Sequence, residues 1–175
     1  VGLPDCAITE SKFEKGLDVS SRMLTLVSKI SEVQTKGTPD IEFALVGLLA
    51  RSQTDSGRAE DAVRTVTALR ERFEAKGLDR FFPNIDALLC RLSLCTGDRL
   101  YTDEWYRDKA PKDGVTLKTL KRYQYLTRAM VELSRGDESA ALLTLAPLVP
   151  YCRVCEKHID TIHLRVLSAI AKRRT

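Results

Sequence analysis

The sequence predicts an all-α protein built from antiparallel helix pairs that repeat along the chain and stack on one another. Three observations carry that expectation. Gly57, Gly97 and Gly136 each close one apolar helical run and open the next, and they stand 40 and 39 residues apart. Small residues flank each glycine at matching offsets: Ala50, Cys90 and Ala129 seven before it, and Ala62, Thr102 and Ala141 five after it. No stretch alternates apolar and polar residues well enough to read as a strand. The glycines fit because a helix commonly ends with one residue in the left-handed region, where a Cβ is penalised. The small residues fit because two helices approach closely only where side chains are short. One hairpin cannot bury its own apolar face, so successive hairpins have to stack. Thr102 is the odd member, which predicts a shortened or distorted middle hairpin.

Each element follows in order. Thr38-Pro39-Asp40 reads as a helix start: a capping hydroxyl, a proline at the first helical position, and an acid near the positive end of the dipole. Ile41, Leu45, Leu48 and Leu49 continue at helical spacing towards Gly57. Ala62, Val63, Val66, Leu69 and Phe73 make a second stripe, ended by Gly77. Ile85, Leu88, Leu89 and Leu92 make a third, ended by Gly97. A short helix around Trp105, read as a packing anchor, stops at Ala110-Pro111 and the turn Lys112-Asp113-Gly114. A long helix is expected over roughly 117–135, carrying Leu120, Tyr123, Leu126, Met130 and Leu133. Leu142, Leu145 and Leu148 follow Gly136, with Pro147 and Pro150 expected to kink or end that run. A last helix carries Ile159, Ile162, Val166, Leu167 and Ile170. Gly16, 41 residues before Gly57, matches the series less well.

Composition sets the class. Hydrophobic residues make up 43% and charged residues 30%, a balance that argues against disorder. At 175 residues the chain is long enough for a single domain with a real core, expected to run over 1–175. No apolar run approaches the ~18 residues of a membrane span, and the start resembles no signal peptide. The five cysteines are odd in number and lack a framework spacing, which points to a reducing, cytoplasmic setting. The net charge of +4 is spread out, and its densest cluster, Lys172-Arg173-Arg174, reads as a solvated helix end.

At these residues two resemblances enter. A Gly-Asp followed by a small residue, with a small residue in the preceding helix, resembles the tetratricopeptide pattern, at a period longer than its usual ~34 residues. The fold this implies is a right-handed solenoid of stacked helix pairs. More specifically, "EWYRDKAPKDG" and "LKRYQYLTRAMVELSRGDESAALLTLAPLVPYCR", with "FPNIDALLCRLSLCTGD" upstream, resemble the helical sensor region of MalT-like regulators of the LuxR family. The matching residues are Trp105, Ala110-Pro111, Arg122-Tyr123-Gln124-Tyr125-Leu126-Thr127, Gly136 and Ala141-Leu142-Leu143. The resemblance covers roughly 40–172. It implies a signal-responsive ATPase in which a helical superhelix receives the inducer and a helix-turn-helix binds DNA. This chain has no Gly-x-x-x-x-Gly-Lys-Ser/Thr run and starts without Met, and only five residues follow Ile170. The expectation is therefore an isolated sensor segment or truncated relative, without cofactor or catalysis, that touches neither nucleic acid nor membrane. Its ends, each lacking a stacked neighbour, could self-associate. The alternative is a generic scaffold of tetratricopeptide type that binds a peptide or protein.

Several constellations mimic chemistry. Cys152, Cys155, His158 and His163 carry zinc-ligand atoms, but only two residues separate the Cys pair from the first His, and on a helix the two imidazoles point about 140° apart. His158 and Asp160 point roughly 200° apart, which opposes an iron triad. Cys152-x-x-Cys155 lacks the strand context of a redox pair. Both histidines fall in one late segment, with no serine placed against them for nucleophilic catalysis. Arg135-Gly136-Asp137 reads as a hinge followed by a helix start, since an adhesion role needs an exposed extracellular loop. The expected site is instead the inner face of the array. Aligned on the hinge glycines, Arg51, Arg91 and Met130 share one offset, and Ala44, Asn84 and Tyr123 share another. Arg51, Asn84, Arg91 and Tyr123 are thus expected to line a concave groove for a small-molecule inducer or a regulatory protein. Arginine suits a polar or anionic ligand, and tyrosine suits stacking on a ring.

Overall fold

The computed structural model describes residue 22 and residues 39–112, 121–154 and 158–174, with backbone alone at 153, 154 and 158–160. Thr38, Gly16, Leu117, Leu120, the Asp113-Gly114 turn, Cys155 and the side chains of Ile159, His158 and Asp160 lie outside the described residues. Among the described residues all regular structure is helical. In chain order the elements are α1 (Pro39–Asp55), α2 (Ala59–Ala75), a 3-10 turn (Asp79–Phe81), α3 (Phe82–Thr96), α4 (Arg99–Asp108), α5 (Arg122–Ser134), α6 (Glu138–Leu145), α7 (Leu148–Val154) and α8 (His158–Arg174). The chain forms two compact units, residues 1–85 and 86–175, and the division falls inside α3.

The three hinge glycines share one conformation. Their φ angles are 76° at Gly57, 79° at Gly97 and 76° at Gly136. At each, the following amide reaches back five residues: Arg58 to the Gln53 carbonyl at 2.8 Å, Asp98 to Ser93 at 2.9 Å, and Asp137 to Glu132 at 3.0 Å. These bonds satisfy carbonyls that the helix end would otherwise leave open. The residues expected at the crossings are all buried: Ala50, Cys90 and Ala129 before the glycines, and Ala62, Thr102 and Ala141 after them. Thr102 fits because its hydroxyl donates to the Arg99 carbonyl at 2.9 Å, within its own helix. The Gly97 hinge therefore keeps the geometry of the other two.

In the first unit, α1 and α2 pack as a hairpin. Its core is Val46, Leu49 and Ala50 from α1 against Ala62, Val66, Leu69 and Phe73 from α2. Ile41 and Leu48, expected in the core, are instead 52% and 56% exposed. Helical spacing admitted two neighbouring faces, and the one through Leu45, Val46, Leu49 and Ala50 is buried. The open end of the hairpin is closed by Arg72, whose Nε and Nη2 donate to Glu42 Oε1 at 3.1 and 3.0 Å. Phe81 of the 3-10 turn packs edge-on against Phe73, with ring centroids 5.0 Å apart.

In the second unit, Tyr125, Leu126, Ala129 and Leu133 of α5 meet Ala141 and Leu145 of α6, Leu148 of α7, and Leu164 and Ala171 of α8. A second cluster joins Ala87 and Cys90 of α3 to Trp105 of α4 and Val131 of α5. Trp105 is buried there, as expected of an anchor. α6 ends ahead of Pro147, and Pro150 lies in the first turn of α7, where proline is tolerated. The last helix turns a different face inward from the one expected. Leu164, Leu167 and Ala171 pack on the core, whereas Ile162, Val166 and Ile170 are exposed. The tail is more engaged than a solvated end, because Arg174 Nη1 donates to the Leu133 carbonyl at 3.3 Å, near the end of α5.

Candidate partner-binding face

The expected groove residues behave differently in the two units. In the first, Arg51 is exposed on α1, with Nε 3.8 Å from Asp55 one turn on. Asn84 is half-buried in the first turn of α3. In the second, the structure brings Arg91 and Tyr123 together. The guanidinium carbon lies 3.7 Å from the Tyr123 ring centroid. Arg91 Nε donates to Thr127 Oγ1 at 2.7 Å, and Nη2 donates to the Tyr123 carbonyl at 3.1 Å. Thr127 is fully buried and donates to that same carbonyl at 2.9 Å. A cation held over a ring and fixed by two hydrogen bonds is a tie between α3 and α5. Both residues are half-buried, so each keeps an outer edge accessible.

A second polar cluster was not legible from sequence. Glu132 is 1% exposed in the last turn of α5. Its Oε1 accepts from Arg128 Nε at 2.8 Å and from the Tyr106 hydroxyl at 2.9 Å. Arg128 also donates to the Pro111 carbonyl at 2.8 Å, which fixes the chain leaving α4. Burial, and next the hydrogen bond to Glu132, push the Tyr106 phenol above its ordinary range. Arg135 stands 4.1 Å over the same Tyr106 ring and reaches Asp103 at 2.6 Å. The only sequence signal was the Arg128–Glu132 spacing, which on a helix usually means a solvated pair.

The Arg-Gly-Asp tripeptide is fully absorbed by structure. Arg135 serves Asp103 and Tyr106, Gly136 makes the turn, and the Asp137 carboxylate caps α6 by accepting from the Ala140 amide at 3.0 Å. Among the described residues, no three of His, Cys, Asp and Glu gather as metal ligands. Cys152 is buried, His163 is half-buried, and Cys90, Cys95 and Cys152 are outside any disulfide. Burial pushes the Cys90 thiol up to about 12, so it stays protonated at neutral pH and is a poor nucleophile. No helix among the described residues is long and apolar enough to cross a membrane. In comparisons with family models, curated proteins and solved structures, the chain has no match.

Proposed function

We propose that this chain is a non-catalytic sensing segment of stacked helix pairs, arranged as a right-handed solenoid of tetratricopeptide type. In this reading it is a cytoplasmic part of a MalT-like, LuxR-family transcriptional regulator, as the resemblance over 40–172 implies. The observation that carries the reading is the recurrence of one hinge. Three glycines about forty residues apart adopt the same left-handed geometry, with the residues seven before and five after each of them buried. The tie from Arg91 of α3 to Tyr123 and Thr127 of α5 supports it further, since it links the first helices of two successive pairs. An inducer or regulatory protein that prefers one curvature of such an array biases the larger protein between two states by its difference in affinity. DNA contact and ATP hydrolysis lie outside this segment.

The expected test is a thermal-shift screen of sugars and small metabolites. A ligand at 100 times its Kd stabilises by about 2.7 kcal/mol, or roughly 5–10 °C in a chain of this size. A hit supports an inducer-binding segment. The second reading, a peptide-binding scaffold, is favoured by the apolar face exposed on α8. The surrounding gene separates the two, because a phosphate loop upstream and a helix-turn-helix downstream belong only to the regulator.

A further inference from the structure

We draw no further inference here: the strongest candidate, the groove between α7 and α8 with the exposed row Ile162, Val166 and Ile170 beside it, carries nothing because nothing in the structure shows what covers that apolar face.

Discussion

The α1–α2 hairpin and the α5–α6 hairpin turn on the same glycine geometry but are secured differently. After Gly57 the next helix starts at Arg58, whose side chain makes no cap. After Gly136 it starts at Asp137, whose carboxylate accepts from Ala140. The first hairpin is closed at its open end by Glu42 and a half-exposed Arg72. In the second unit, α5 instead carries Glu132 and Arg128 side by side in a nearly dry interior. The contrast separates two jobs. The glycine and small residues specify the turn and recur with the period. The charged residues secure one hairpin or its neighbourhood and need not recur.

That division predicts unequal costs for similar substitutions. Glu132→Ala removes the counter-charge of the nearly buried Arg128 and the acceptor of the Tyr106 hydroxyl, and urea unfolding should show a loss of about 3–5 kcal/mol. Glu42→Ala releases an arginine that can turn to water, so its loss should stay near ~1 kcal/mol. Equal losses at the two sites would erase the distinction between a buried and a rim ion pair. At the caps, Asp137→Ala should cost about 1 kcal/mol, whereas Arg58→Asp should gain roughly 0.5–1 kcal/mol by supplying the missing acceptor. Chemical denaturation of the two variants checks both signs. The smallest effect is a labelling contrast. Iodoacetamide at pH 8 should modify Cys95, which is exposed, and leave Cys90 untouched in the folded chain, because burial holds that thiol up to about 12. Peptide mapping reads both cysteines in one experiment.

Gly57, Gly97 and Gly136 were legible because left-handed φ favours glycine and because buried small residues recur around them. Gly77 makes the same turn, with φ 64° and the Leu78 amide reaching back to the Phe73 carbonyl at 2.9 Å, but has Arg70 and Phe82 at those offsets, so the flanking residues and not the turn mark the period. Trp105 was legible because one large aromatic on a short polar helix has little else to do than pack. The inward face of α8 was not. Apolar residues lie on two sides of that helix, and spacing alone cannot say whether Leu164 and Ala171 or Ile162 and Val166 meet the core. Ile41 and Leu48 were misplaced for the same reason. Glu132 was hidden because a charge four residues from an arginine reads as a solvated pair, and only tertiary burial makes it an anchor. At the candidate site, alignment on the glycines put Arg91 and Tyr123 on related faces. It did not reveal that the two would hold each other.

The central claim is that three separate turns are one device repeated, and alanine substitution tests it most directly. An added Cβ meets nothing within 4 Å at Gly57, Gly97 or Gly136, so the cost of alanine there is purely the left-handed backbone. Each of the three substitutions should lose about 1 kcal/mol in urea unfolding, alike within ~0.5 kcal/mol. Gly47 provides the contrast. It lies inside α1 with equal room for a Cβ, and Gly47→Ala should gain roughly 0.5–1 kcal/mol. If a hinge glycine responds as Gly47 does, or one of the three stands far from the others, the turns are unrelated and the repeat is an accident of spacing.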